Sequence, residues 1–208
     1  MNTRTEQQNI QAAAGRMSTA DMAHIAIFAA LMAVMAQISI PMPGGVPFTM
    51  QTMGVYLTGI VLGRRKGAYA MLLYLLLGLA GLPVFSHFGG GLGRLAGPTG
   101  GFLLSYPLMA WLAGTGAGFF YGVPGMEGRN ETASKKAGLP GFVLCMLGAT
   151  GVNYAMGTLM YSAVTGNPLQ AALAACVLPF IVTDLVKLGM AAVLGASLRK
   201  ALHRAGLV

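Results

Sequence analysis

Six apolar segments, separated by breaks rich in Gly, Pro and charge, make up most of this 208-residue chain. They run over about 22–40, 48–63, 67–83, 101–122, 138–163 and 171–198. A helix needs about 20 apolar residues to cross a bilayer, and the first, fourth, fifth and sixth segments meet that length. The second and third are shorter, and only the topology of the pair indicates that both cross. The sequence therefore predicts an all-α integral membrane protein with six transmembrane helices in one domain, residues 21–200.

The basic residues predict how this domain is oriented in the lipid bilayer. The net charge of +8 would suit a nucleic-acid-binding protein, but only 9% of the residues are charged and 55% are hydrophobic. With a cytoplasmic N-terminus, all of the 13 Lys and Arg except Arg94 and Lys187 fall in cytoplasmic loops or tails. Such an excess sets membrane orientation. Both termini, the polar tails 1–20 and 201–208, are therefore predicted to be cytoplasmic, and no nucleic acid is expected as a partner.

Asp184 and Lys187 are the only charged residues in the last apolar segment. They are three residues apart, so they share one face of a helix. Burying a charge in hydrocarbon costs on the order of 3 kcal/mol even on the mildest scale. The pair is expected in the outer half of the membrane, near Pro179, which should interrupt the helix. Such residues usually line a polar site inside the bundle, and a purely structural ion pair is the alternative.

Two polar clusters fall on the same outer side as this pair. The first follows a loop with three prolines and two glycines, and its candidate residues are Phe48, Thr49 and Gln51. The second is a glycine-rich loop leading into helix 4, with the candidates Arg94, Gly97, Pro98, Thr99, Gly100 and Gly101. Thr99 is a candidate N-cap, and the free N–H groups of that helix start can bind an anion or a carbonyl oxygen.

Three residues elsewhere complete the candidate ligand-binding set: Phe85, Asn153 and Tyr154. For Asn153 and Tyr154, packing between helices is an equal alternative. No Walker A motif, HExxH motif or paired carboxylates occur, so neither an enzyme, a metal site nor intrinsic ATP hydrolysis is predicted. A proton-coupled carrier can use an intramembrane Asp, although the chain has no obvious inverted repeat of the kind such carriers use.

Four stretches, in order and at matching spacing, resemble the BioY family: Val46–Thr52, Leu62–Gly67, Gly97–Leu104 and Pro179–Lys187. Members of that family are the biotin-binding substrate (S) components of energy-coupling-factor (ECF) transporters. The resemblance implies the S-component fold and high-affinity capture of biotin from outside a bacterial cytoplasmic membrane. No covalently bound cofactor is implied. ATP would be used only by partner subunits, namely two ATP-binding subunits that act through a transmembrane coupling protein (T component).

The resemblance also assigns roles to residues. Asp184 and Lys187 match the acid and lysine of the family's last helix. Ala26 and Ala30 match the AxxxA pattern by which helix 1 docks on the T component. Asp184 is then either an acceptor for the ureido N–H groups of biotin or the ion-pair partner of Lys187. Either Lys187 or Arg94 binds the carboxylate of biotin. An S component for another vitamin, a stand-alone proton-coupled carrier and an intramembrane enzyme are the alternatives.

Overall fold

The computed structural model of the protein describes residues 17–42, 44–121 and 131–204, and these are almost entirely helical. The helices are α1 (Thr19–Gln37), α2 (Gln51–Leu79), α3 (Leu92–Leu95), α4 (Gly100–Tyr121), α5 (Glu131–Thr165), α6 (Leu169–Cys176) and α7 (Ile181–Arg204), with a 3-10 turn at Ser86–Phe88. The short strands β1 (Ser39–Ile40) and β2 (Phe48–Thr49) pair antiparallel between α1 and α2. Most of the predicted polar tail at 1–20 lies outside the described residues.

Within the described residues, four helices are long and apolar enough to cross a membrane: Thr19–Gln37, Gly100–Tyr121, Gly138–Thr165 and Ile181–Leu202. They correspond to the first, fourth, fifth and sixth apolar segments, so the prediction of a helical multi-pass protein is confirmed. Helix α1 begins three residues earlier than predicted because Ser18 caps it. The Ser18 hydroxyl accepts from the Ala20 N–H, and the Asp21 carboxylate accepts from the Ser18 N–H, which is a capping box.

The second and third apolar segments form the hairpin α2, in which Gly63 alone leaves the helical region, at φ 78° and ψ 178°. The Nε2 of Gln51 lies 2.7 Å from the hydroxyl of Tyr74, 23 residues away, whereas a straight helix of that length would span about 35 Å. The chain therefore reverses at Gly63, where the positive φ favours glycine. The break predicted at residues 64–66 is displaced to Gly63, and those three residues are helical.

Glycines bring the two limbs of α2 close to each other and to α4. A Cβ on Gly59 would lie 2.8 Å from that of Ala113, and one on Gly67 would lie 3.2 Å from the Gly59 Cα. Side chains at these positions would push the helices apart. These small residues therefore serve internal packing.

The predicted sixth segment is two helices, α6 and α7, separated at residues 177–180. Pro179 lies in this break, as its missing N–H requires. Asp184, Lys187 and Ala191 are buried along one side of α7. The helix is described as far as Arg204, so residues 201–204 of the predicted tail are helical, and residues 205–208 lie outside the described part.

Contacts define the two ends of the molecule. At one end, Lys66 beside the hairpin tip forms an ion pair with Asp21 at the start of α1, and Arg199 near the end of α7 donates to the Ile60 carbonyl at 3.2 Å. At the other end, Gln37 at the end of α1 donates to the Phe85 carbonyl at 3.1 Å. The start of α1 and the end of α7 therefore lie at the same, basic end of the molecule.

Candidate ligand-binding site

A cavity lies between β2, the first limb of α2, α4, α5 and α7, and holds about 550 Å³ of space, part of it continuous with solvent. Half of the predicted ligand-binding residues line it: Thr49, Gln51, Thr99, Asn153, Tyr154, Asp184 and Lys187. Residues from four distant parts of the sequence thus meet at one wall.

Asp184 and Lys187 form a buried ion pair in this wall. The Nζ of Lys187 lies 2.8 Å from the Oδ1 of Asp184, and each side chain is only 5% exposed. The same Nζ donates to the Thr52 hydroxyl at 3.3 Å and stands 4.0 Å from the centre of the Phe48 ring. An ammonium group has three protons, and the ring attracts the cation electrostatically. The lysine is therefore satisfied by the protein itself.

The Asp184 carboxylate keeps capacity for one more donor. Its Oδ1 accepts from Lys187 and from the Thr52 hydroxyl at 3.3 Å, and its Oδ2 accepts from the Tyr154 hydroxyl at 2.8 Å. A carboxylate offers about four lone-pair sites. Three are in use, so Oδ2 is open to a hydrogen-bond donor in the cavity.

Gln51 connects this wall to the external loop. Its Nε2 donates to the Tyr74 hydroxyl at 2.7 Å, which in turn donates to the Val84 carbonyl at 3.0 Å. The Gln51 side chain is buried and lines the cavity. Because its amide nitrogen is engaged, its carbonyl oxygen is the group that is available to a ligand.

Asn153 is oriented by Ser105 of α4. The Ser105 hydroxyl lies 2.7 Å from both the Phe102 carbonyl oxygen and the side-chain amide of Asn153. A hydroxyl has one proton, and the Phe102 carbonyl can only accept it. The amide group of Asn153 is therefore best assigned with its NH₂ donating to Ser105. Its carbonyl oxygen then faces the cavity as an acceptor.

Seven predicted residues do not line the cavity: Arg94, Gly97, Pro98, Gly100, Gly101, Phe48 and Phe85. Arg94 is exposed on α3. Phe85 is 1% exposed and packs edge-on against Tyr74, with ring centres 5.4 Å apart. A Cβ on Gly101 would lie 2.8 Å from that of Met160. The glycines at the start of α4 therefore allow close packing against α3 and α5, and their contact with a ligand stays a prediction.

Helix α4 contributes wall residues that the sequence did not single out. Phe102, Leu103 and Tyr106 line the cavity together with Thr99. Their spacing of three, four and seven residues from Thr99 places them on one helix face. That periodicity, counted from the predicted N-cap, was the available signal. The apolar run gave no other reason to choose this face.

Gln37 was also missed, and it fixes the loop at the mouth of the cavity. Its Nε2 donates to the Phe85 carbonyl at 3.1 Å, and its Oε1 accepts from the Phe88 N–H at 3.0 Å. Ser86, between these two contacts, lines the cavity. His87 and Phe88 have positive φ values of 55° and 53°, which is uncommon for residues other than glycine.

In the described ranges, no cluster of three or more His, Cys, Asp or Glu is placed to hold a metal.

Comparison with known proteins gives consistent relatives. The model of the BioY family matches residues 5–204. The biotin transporter BioY of Thermotoga maritima is 36% identical over 174 residues, which is 84% of this chain and 92% of that protein. The probable biotin transporter BioY of Pyrococcus horikoshii is 33% identical over 183 residues, 88% of this chain and 98% of that protein. The biotin transporter BioY of Rhizobium etli is 36% identical over 182 residues, which is 86% of this chain and 92% of that protein.

The fold has a solved counterpart. The crystal structure of the S-component for biotin from an ECF-type ABC transporter matches with a TM-score of 0.73 at 23% sequence identity, covering 96% of this chain and 95% of that one. The chain therefore has the fold of that S component. Its relatives place it in the class of multi-pass membrane transporters and not among enzymes. Within that class, the chain belongs to the BioY family.

Proposed function

We propose that the protein captures biotin at the outer side of the bacterial cytoplasmic membrane, as the substrate-binding component of an ECF-type ABC transporter. The cavity wall carries the proposal, because its open groups complement this vitamin. Biotin has a ureido group with two N–H donors and one acceptor oxygen, an apolar ring and a carboxylate tail. The relatives named above are biotin transporters, which makes biotin the first ligand to test.

The ureido N–H groups have acceptors in the buried part of the wall, namely the Oδ2 of Asp184 and the carbonyl oxygens of Asn153 and Gln51. Phe102, Leu103 and Phe180 offer apolar surface to the ring. The carboxylate then lies toward Ser86, Thr99 and the first N–H groups of α4, since a helix N-terminus favours an anion. In this arrangement Lys187 holds Asp184 in place and does not meet the carboxylate.

Calorimetric titration of the purified protein with biotin tests this proposal. We expect tight one-to-one binding, and Asp184→Asn should weaken it by about 2–5 kcal/mol, which is roughly 30- to 4000-fold. Asp21→Asn, in the ion pair at the opposite end, is the matched control and should bind as the native chain does. Unchanged affinity in Asp184→Asn would refute the site. A co-purified flavin or thiamine would refute biotin as the ligand.

We propose that α1, the two limbs of α2, α4, α5 and α7 make six membrane crossings, with both termini in the cytoplasm. The limbs are short, about 24 Å for residues 64–79 against a hydrocarbon core of about 30 Å, so the crossings by the α2 hairpin require a locally thinner bilayer or flanking polar residues that reach the interface. The shared basic end supports the orientation.

In a chain with Cys145 and Cys176 replaced by Ala, Phe88→Cys should react with an impermeant maleimide in intact cells and Arg65→Cys should not. The reverse labelling would invert the topology.

The energising partners are proposed to be a T component and two ATP-binding subunits, with Ala26 and Ala30 as the docking face. Both alanines are exposed on α1, whereas Ala29 between them is 1% exposed. Ala26→Trp or Ala30→Trp should spare biotin binding and prevent co-purification with the T component. Leu144→Trp, on α5 where the residue is 73% exposed, is the control and should assemble. Normal assembly of the Ala variants would refute this face.

A stand-alone proton-coupled carrier would need Asp184 to exchange protons. Its carboxylate is instead engaged by one ammonium and two hydroxyl donors of the protein, which suits a fixed ion pair better than a proton-exchanging group. Biotin uptake in vesicles without any ATPase, abolished by an uncoupler, would favour the carrier over the present proposal.

A further inference from the structure

Among the residues that the structure describes, none is a hydrogen-bond partner of the Tyr106 hydroxyl. Of the seven tyrosines in the chain, five donate or share a hydrogen bond through the hydroxyl: Tyr56, Tyr74, Tyr121, Tyr154 and Tyr161. Tyr69 is exposed, 46%, and needs no partner. Tyr106 is only 3% exposed, and its hydroxyl bonds to no residue in the described part of the chain.

This hydroxyl opens into the cavity. In the described ranges, only two polar side-chain atoms lack both contact with solvent and a hydrogen-bond partner. They are Arg64 Nε and Thr158 Oγ1. The unpaired Tyr106 oxygen is not among them, so it retains accessible surface. Tyr106 lines the cavity and has almost no other exposure. A buried phenol normally has a hydrogen-bond partner, and here a bound ligand is the partner that the cavity admits.

The neighbours of Tyr106 define what that ligand group is. Tyr106 follows Ser105, which holds Asn153 so that the amide oxygen faces the cavity. Asp184 offers a second acceptor through its Oδ2. Two acceptors in the wall suit a ligand group with two N–H donors, such as a cyclic urea. The carbonyl oxygen between those two N–H groups then also needs a hydrogen-bond donor from the protein. Lys187 is engaged elsewhere, and Ser86 and Thr99 are less buried.

We propose that Tyr106 donates a hydrogen bond to the carbonyl oxygen of the ligand's cyclic urea and so selects ligands that carry this oxygen. The inference rests on the proposed function, because it takes a cyclic urea as the buried head of the ligand. It adds a specificity-determining residue on α4 to the site on α2, α5 and α7.

The test is a cycle of two ligands and two proteins, measured by calorimetry. Biotin is compared with the analogue in which sulfur, a weaker acceptor, replaces the ureido oxygen. Tyr106→Phe removes only the hydroxyl, and biotin should then bind about 5- to 150-fold more weakly. The sulfur analogue should lose less than about 3-fold, because it had little of this hydrogen bond to lose. The preference for biotin over the analogue should therefore shrink.

Tyr69→Phe is the matched control and should leave both affinities unchanged. If Tyr106→Phe is not folded by gel filtration, Tyr106→Met is measured with the same two ligands. Equal losses for the two ligands, or no loss for biotin, would overturn the role of Tyr106 while leaving the proposed function intact. Failure of the native chain to bind biotin would overturn both.

Discussion

Two aspartate–lysine ion pairs occur at opposite ends of this molecule, and their surroundings differ sharply. Asp184 and Lys187 are each 5% exposed, whereas Asp21 and Lys66 are 22% and 39% exposed. An exposed pair contributes about 0–1 kcal/mol, because water solvates both partners when they separate. A buried pair has lost that solvation and depends on protein groups to replace it. Breaking the buried pair should therefore cost much more unfolding free energy than breaking the exposed pair, although both consist of Asp and Lys.

The groups around each pair reflect this difference. Thr52, Tyr154 and the Phe48 ring surround the buried pair, and replacing it with apolar residues is often neutral or stabilising. Its presence is thus weak support for a role in stability and better support for a role in binding. The exposed pair completes the cap of α1, where the Asp21 carboxylate also accepts from the Ser18 N–H. It connects α1 to the α2 hairpin, and neither of its residues lines the ligand-binding cavity.

The largest effect is expected when the buried pair is broken. Lys187→Met leaves Asp184 buried without its cation and should lower the free energy of unfolding by about 3–5 kcal/mol, measured by denaturation in mixed detergent micelles. The double variant Asp184→Leu with Lys187→Met should recover most of this loss, yet bind no biotin. If Lys187→Met alone is as stable as the native chain, the pair is not desolvated as its burial indicates.

Sequence reasoning found this pair, because two charges in an apolar segment stand out against their neighbours. It also found Thr49, Gln51, Asn153 and Tyr154, which are polar residues in apolar runs. It did not single out Tyr106, because a tyrosine in an apolar helix is usually a packing residue and only the spacing from Thr99 pointed to this helix face. Only the rotation of α4 about its axis decides which face meets the cavity, and that depends on packing between distant segments.

The glycine-rich stretches were harder to interpret from sequence. Gly100 and Gly101 were predicted to bind a ligand, and in the structure neighbouring protein packs closely against both of them. A glycine permits close approach without indicating what approaches. For the same reason, Gly63 did not stand out as the point of reversal between the second and third segments, which was predicted at residues 64–66.

An intermediate effect is expected when one donor is taken from the buried pair. Tyr154→Phe removes the hydrogen bond to the Asp184 Oδ2 and should cost about 1.5–3 kcal/mol of unfolding free energy, because the acceptor is charged. Tyr161→Phe is the matched control on the same helix. Its hydroxyl donates to the neutral Gly44 carbonyl at 2.8 Å, and its loss should cost about 0.5–1.5 kcal/mol. Equal costs would show that the charge of Asp184 adds nothing at this site.

The smallest effect is expected at the exposed pair. Asp21→Asn keeps an oxygen that can accept from the Ser18 N–H and removes only the charge, so it should cost less than about 1 kcal/mol. Raising the salt concentration from about 0.05 to 0.5 M should shrink this cost further, because exposed charges are screened. Lys187→Met, measured in the same series, should show little salt dependence, since its charges lie away from water. A cost for Asp21→Asn that matches the loss in Lys187→Met would mean that exposure does not govern the strength of these two pairs.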